Sequence, residues 1–154
     1  MLDKLDQKLV RELQKNGRRN YTELAKMLGV SEGTIRNRVR TLEKRGLLKI
    51  TAVLNLEELG YKFINIIGMQ VTVADLQRLG ETLAQKSNVY YVSFVIGRYD
   101  LLIITMFRTS QELSDFLKYI SSIPSIIRTE TFLNLEIIKK PWAEPGILST
   151  PPLA

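Results

Sequence analysis

Residues 20–45 (NYTELAKMLGVSEGTIRNRVRTLEKR) constrain the fold of this chain more than any other stretch. Asn20 is a good helix N-cap, and Glu23 follows it at the spacing of a capping box. Gly29 supplies the left-handed residue that ends this helix, and Ser31 caps the next one. The spacing therefore predicts two short helices joined by a tight turn, which is the arrangement of a helix-turn-helix.

The second of these helices is amphipathic. Ile35, Val39 and Leu42 follow the helical period, and we expect them to point inward. The opposite side carries a polar, largely basic set: Gly33, Arg36, Asn37, Arg40, Thr41 and Lys44. A basic face of this kind is typical of a helix that enters the major groove of double-stranded DNA. An αα-hairpin with a solvated basic face is the alternative interpretation.

The residues around this motif complete an N-terminal domain. Asp3 is a suitable cap for a first helix whose inward positions are Leu5, Leu9 and Leu13. Apolar residues alternate with polar ones over residues 47–54, which predicts a strand leaving the domain. We therefore predict a three-helix winged helix-turn-helix domain over residues 1–54, followed by a linker over residues 55–61.

Charge is distributed unevenly along the chain. Residues 1–50 hold 13 Lys and Arg against 6 Asp and Glu, whereas residues 51–154 hold 9 against 10. The net charge of +6 therefore belongs to the N-terminal third. This asymmetry favours a polyanion-binding domain joined to a domain that binds something else.

The second half alternates between strand-like and helix-like segments. The predicted strands cover residues 63–73, 89–96, 101–107 and 126–139, with helices beginning at Asp75 and Ser110. The order βαββαβ predicts a ferredoxin-like sandwich over residues 62–140, so the fold class is α+β. One face of its sheet would be apolar and uncovered, and a second copy is the simplest cover, so we expect a homodimer. Residues 141–154 form a Pro-rich C-terminal tail.

Several classes of protein are disfavoured by what the sequence lacks. Cysteine and histidine are both absent, which removes disulfides, thiolate nucleophiles, imidazole bases and most transition-metal sites. Catalysis by carboxylates or lysine stays possible, but the sequence has no paired-carboxylate or phosphate-loop motif either. We therefore predict no cofactor and no enzymatic activity. There is no run of about 18 apolar residues to span a membrane. The N-terminus also lacks the apolar core of a signal peptide, so we expect a cytoplasmic protein.

A helix-turn-helix followed by βαββαβ resembles the Lrp/AsnC family of transcription regulators, also called feast/famine regulators. The matching residues are Leu2-Asp3, Asp6, Leu24-Ala25, Gly29-Val30-Ser31, Arg38-Val39-Arg40, Leu42-Glu43, Gly46-Leu47, Gly60-Tyr61, Gly97, Asp100, Pro124, Thr131 and residues 135–139. The resemblance implies dimers that pair through their C-terminal sheets and often assemble into octamers. It also implies a small-molecule effector, an amino acid, bound between subunits.

The hairpin Gly97, Arg98, Tyr99 and Asp100 is similar to the effector loop of that family. Glycine lets backbone amides approach a carboxylate, and the Asp100 carboxylate is suited to hold an α-ammonium group. Thr131, on the last strand, is a further candidate for lining the site. The alternative is an ordinary hairpin turn in which Asp100 caps backbone amides.

The predicted DNA contacts fall into three sets. Arg36, Asn37 and Arg40 would meet the groove, where Arg suits guanine and Asn suits adenine. Ser31, Glu32 and Thr34 lie at the helix N-terminus, nearest the bases or phosphates. The remaining candidates would touch phosphate and so position the protein without specifying sequence: Arg18, Arg19, Thr22, Arg38 and Lys44.

These observations favour a sequence-specific transcriptional regulator that binds palindromic operators as a dimer or higher oligomer. Two alternatives remain open at the level of sequence. One is a non-specific architectural DNA-binding protein, whose binding would fall with salt and ignore sequence. The other is a small-molecule-binding or enzymatic module with a basic head, because ferredoxin-like domains host many activities.

Overall fold

A computed structural model of the chain describes residues 2–52 and 54–138. These residues fall into two compact units, a helical unit that ends at Asn55 and a sheet unit from Leu56 to Ile138. The Pro-rich tail predicted from residue 141 onwards lies outside the described residues.

The helical unit contains three helices, α1 (Lys4–Lys15), α2 (Tyr21–Leu28) and α3 (Glu32–Lys44). Asp3, Asn20 and Ser31 cap them, each accepting a hydrogen bond from the backbone N–H three residues on. Gly29 ends α2 with a φ of 69°, in the left-handed region that favours glycine. The predicted helix-turn-helix and its caps are therefore confirmed.

The core of the helical unit is formed where one stripe of each helix meets the others. Its buried members are Leu9, Val10, Leu13, Leu24, Ala25, Ile35, Val39 and Leu42. Ile35, Val39 and Leu42 are at most 1% exposed, as the helical period predicted for α3. Because this stripe is buried, the polar stripe of α3 is the side that faces solvent.

The segment after α3 differs from the prediction. The described residues of 47–54 contain no strand, and Leu47, Ile50 and Leu54 are exposed. A strand exists only where a neighbour accepts and donates its backbone hydrogen bonds, and alternation of side chains does not supply that neighbour. Within the predicted linker over residues 55–61, the Gly60 N–H donates to the Glu57 carbonyl at 2.8 Å and closes a turn.

The sheet unit has the predicted βαββαβ order. Its elements are β1 (Phe63–Val71), α4 (Leu76–Ala84), β2 (Val89–Phe94), β3 (Leu101–Phe107), α5 (Ser110–Ser121) and β4 (Ile126–Leu133). The strands form one antiparallel sheet in the order β2-β3-β1-β4. The last strand was predicted over residues 126–139 but ends at Leu133, because β1, its pairing partner, begins close to that point. Leu133 pairs with Asn65, only two residues from the start of β1 at Phe63.

The two faces of this sheet have different surroundings. On one face Ile67 lies opposite Ile103 and Met69 opposite Leu101, and all four are fully buried. Residues of α4 and α5 complete this core: Leu79, Leu83, Phe116 and Ile120. The other face, which we call the open face, carries Ile66 with its cross-strand neighbours Ile104 and Phe132. None of those three belongs to the core cluster, so this apolar face has no helix of its own unit packed into it.

Candidate DNA-binding face and effector loop

The solvent-facing side of α3 carries the three side chains predicted to meet base edges. Arg36, Asn37 and Arg40 are all exposed, and the Arg36 side chain is 63% exposed. Arg40 makes no ion pair with any described residue. The helix therefore presents two guanidinium groups and an amide on its exposed side. Its opposite stripe, Ile35, Val39 and Leu42, is buried and fixes the helix in the core.

Arg36 takes part in a network that joins the first turns of α2 and α3. Its Nη2 lies 2.6 Å from Glu32 Oε1, and the other Glu32 oxygen accepts from the Thr22 hydroxyl at 2.8 Å. The Arg36 guanidinium carbon lies 5.4 Å from the centre of the Tyr21 ring. The Thr22 hydrogen bond, followed by Arg36, lowers the pKa of Glu32, so this carboxyl is charged at neutral pH.

Two of the residues predicted to contact phosphate, Arg19 and Arg38, also form ion pairs within the helical unit. Arg38 forms ion pairs with Asp3 and with Asp6, whose side chain is only 7% exposed. These contacts tie α3 to the start of α1, and the hydrogen bond to Asp3 raises the pKa of Arg38. Arg19 lies between Glu12 and Glu23 in the same way, at 3.4 Å and 2.9 Å.

The other candidates have a different setting. Ser31 and Thr34 share a hydrogen bond between their hydroxyls at 2.9 Å, so both take part in starting α3. Arg18 and Lys44 are exposed and form no ion pair with any residue that the structure describes. Their charges are therefore available to a polyanion.

In the sheet unit, the loop from Gly97 to Asp100 is anchored to β1. The Asp100 N–H donates to the Met69 carbonyl at 2.9 Å, and Asp100 Oδ2 accepts from the Val71 N–H at the same distance. Asp100 thus has the capping contact that the sequence left open as an alternative. Gly97, with a φ of 146°, adopts a backbone conformation that favours glycine.

Tyr99 folds back from this loop onto the sheet. Its ring covers Gly68, where a Cβ would come within 2.7 Å of the ring. The Tyr99 hydroxyl donates to Glu130, and this hydrogen bond raises the pKa of Tyr99. Arg98 Nη2 also lies 3.4 Å from Glu130, so one carboxylate engages two loop residues.

The structure does not bring Thr131 to the loop. Thr131 lies opposite Ile67, whose side chain is in the core on the helix side of the sheet. Glu130, its neighbour, lies opposite Gly68 and therefore shares a face with Tyr99. Sequence reasoning missed Glu130, although the period of two in a strand places adjacent residues on opposite faces and could have pointed to it.

Comparison with known proteins agrees with this architecture. A model of the AsnC-type helix-turn-helix domain matches residues 2–43, and a model of the Lrp/AsnC ligand binding domain matches residues 63–142. An HTH-type transcriptional regulator of Pyrococcus abyssi is 35% identical over 141 residues, which span 91% of this chain and 96% of that protein.

Solved structures show the same fold. Escherichia coli AsnC is 29% identical with a TM-score of 0.85, covering 91% of this chain and 96% of that one. A Neisseria meningitidis transcriptional regulator solved as a complex with L-methionine is 24% identical with a TM-score of 0.82, covering 91% and 94%. At that identity the second likeness concerns the fold alone.

The comparisons and the geometry agree on the class of this protein. The two family models together match most of the chain, and they divide it as its two units do. Within the described residues, no helix is long and apolar enough to cross a lipid bilayer. The chain belongs to the Lrp/AsnC family of helix-turn-helix transcriptional regulators.

Proposed function

We propose that this regulator recognises specific DNA sequences through the exposed side of α3, and that an amino acid controls it. One observation supports the DNA contact most directly: Arg36, Asn37 and Arg40 are exposed together on a helix whose opposite stripe is buried. Arg suits the two acceptors of guanine, and Asn suits adenine. A DNA-binding regulator works where the chromosome is, so we expect it in the cytoplasm.

Within this proposal, the other candidates have supporting roles. Ser31, Glu32 and Thr34 start α3 and lie at the end of the helix that enters the groove first. Arg18 and Lys44 contact phosphates. Arg19 and Arg38 act mainly by holding the helices together, since carboxylates of the same unit already engage them.

Replacing Arg36 with alanine should weaken binding to the preferred operator by about 1–3 kcal/mol and relax the preference at one base position. The operator is first found by selecting from a library of random duplexes with the unaltered protein. Affinities are then measured by fluorescence anisotropy for the operator and for each of its single-base variants.

Lys44→Ala is the matched control for this measurement. Loss of a phosphate contact should weaken binding about equally on every sequence and reduce the dependence on salt. If Arg36→Ala behaves like Lys44→Ala, then Arg36 touches only phosphate. Selection of no sequence at all by the unaltered protein would favour the architectural alternative instead.

We further propose that two copies pair through the open face of the sheet. Apolar surface around Ile66, Ile104 and Phe132 would favour aggregation if it stayed exposed in a monomer. The same face of a second copy would cover it. A symmetric pair would present two α3 helices to half-sites about one helical turn apart, or a multiple of that distance. The resemblance to the family implies that such dimers assemble further into an octamer. A monomeric mass by sedimentation equilibrium, at concentrations that bind operator, would contradict the pairing.

The effector we propose is an amino acid held at the loop from Gly97 to Asp100. The Arg98 guanidinium would pair with its α-carboxylate, and the carboxylates of Asp100 and Glu130 are suited to its α-ammonium. The same fold holds L-methionine in the Neisseria meningitidis regulator. This chain has no histidine or cysteine, and we propose no catalytic role for the site.

Titration calorimetry with each of the twenty amino acids tests the effector proposal. Binding of one of them to the unaltered protein should weaken at least tenfold in Arg98→Ala, because a charge-assisted contact is lost. Arg108→Ala, which removes an equal charge elsewhere in the sheet unit, is the control. Absence of binding by all twenty, or equal binding by the two variants, would contradict the assignment.

A further inference from the structure

The guanidinium of Arg36 is held from two sides by residues of α2 and α3. The Tyr21 ring lies 5.4 Å from its central carbon, and Glu32 lies 2.6 Å from its Nη2. Tyr21 is half-buried and packs against the core of the helical unit, so the ring has a fixed position. The orientation of Arg36 therefore depends on a residue that belongs to the other helix of the motif.

The two contacts with the guanidinium differ in kind. Glu32 takes an N–H donor at the edge of the group, the same kind of donor that a guanine would need. Tyr21 instead contacts the guanidinium through a cation–π interaction, with the central carbon of Arg36 over its ring, and offers no carboxylate that competes for the N–H donors. The guanidinium has five N–H donors, so a DNA base would compete with Glu32 only for the donors that it needs, whereas the contact with Tyr21 can persist when DNA is bound.

Exposure is consistent with this division of roles. The side chains of Arg36 and Glu32 are 63% and 43% exposed, so their ion pair is solvated and easily exchanged. The Thr22 hydroxyl donates to Glu32 as well and keeps it paired after Arg36 leaves. The ring of Tyr21, anchored in the core, is the part of the network that does not need to move.

We propose that Tyr21 is a positioning residue for Arg36, and that it determines how strongly Arg36 discriminates between bases. A bidentate contact with guanine requires the guanidinium plane to be aligned with the base. An arginine already lying on a ring loses less rotational freedom when it binds than one that moves freely in solvent. The inference rests on the proposed function, in which Arg36 reads a base edge.

The experiment compares Tyr21→Leu with Tyr21→Phe on the selected operator. The base position at which Arg36→Ala loses its preference identifies the base pair that Arg36 reads. Discrimination at that position should fall about two- to fivefold in Tyr21→Leu, the range expected for an exposed cation–π contact, and should persist in Tyr21→Phe. Preferences at other positions and the slope of affinity against salt should stay unchanged in both variants.

Thermal melts of both variants separate positioning from folding. If Tyr21→Leu melts below the temperature of the assay, Tyr21→Met provides a second side chain of similar volume without a ring. Discrimination retained by the aliphatic variant, or affinity lost equally on all sequences, would overturn the role of Tyr21. Failure of Arg36→Ala to change any base preference would instead overturn the proposed function itself.

Discussion

Replacing Ile35 with alanine should lower the free energy of unfolding of the helical unit by about 2–5 kcal/mol. Ile35 is fully buried and projects from α3 into a core that has eight buried members, Ile35 included, among the residues that the structure describes. A unit of this size buries little apolar surface and is stable by a narrow margin, so the loss should be a large share of the total. Because the helical unit of Ile35→Ala then unfolds at a lower temperature, this variant should lose DNA binding at temperatures where the unaltered protein still binds.

Residue-resolved hydrogen exchange is the suitable measurement for this variant, because the chain has two units and need not unfold in one step. Amides of α3 should lose protection, while those of β1 and β3 keep it. Arg40→Ala is the control on the same helix, and as an exposed change it should alter stability by no more than about 0.5 kcal/mol. Unchanged protection in Ile35→Ala would show that α3 does not depend on its buried stripe.

Replacing Gly68 with alanine should detach Tyr99 from the sheet. A Cβ at this position would come within 2.7 Å of two ring atoms, closer than any real contact, so the ring must leave. Its hydrogen bond to Glu130 would be lost with it. We expect overpacking to lower the free energy of unfolding of the sheet unit by about 1–3 kcal/mol and to loosen the loop from Gly97 to Asp100.

Two further variants isolate this cause. Gly33→Ala places the same methyl group on α3, where the nearest atom would be 3.8 Å away, and should be neutral or stabilise by about 0.5–1 kcal/mol. Tyr99→Ala removes the clashing ring, so Gly68→Ala should cost much less in that background. The double-mutant cycle is measured by hydrogen exchange of β1 amides. Equal costs with and without the ring would show that Tyr99 is not the obstacle.

The parts of the fold that follow local rules could be predicted from the sequence. Asn20 and Ser31 cap helices because a short polar side chain satisfies a backbone N–H three residues away. The buried stripe of α3 follows from the helical period, and the order βαββαβ follows from alternating segments. Each of these inferences needs only residues that are close in the chain.

Features that depend on distant partners could not be predicted. The ion pair between Arg38 and Asp3 joins residues that are 35 positions apart in the sequence. Tyr99, in a loop, and Glu130, on β4, are 31 residues apart, and their contact requires Gly68 to leave room on β1. The segment at residues 47–54 has the alternation of a strand but no strand in its described part, because alternation does not provide a pairing partner.

The outer strands of the sheet have a consequence for how chains can associate. One extra residue interrupts the pairing of each: Tyr90 in β2 and Ile127 in β4. Such bulges twist a strand and break the even spacing of its outward-pointing amides and carbonyls. An interrupted border is a poor template for adding a strand from another molecule. Edge-to-edge growth of the sheet is thereby discouraged along both borders, which guards a folded chain against fibrous aggregation.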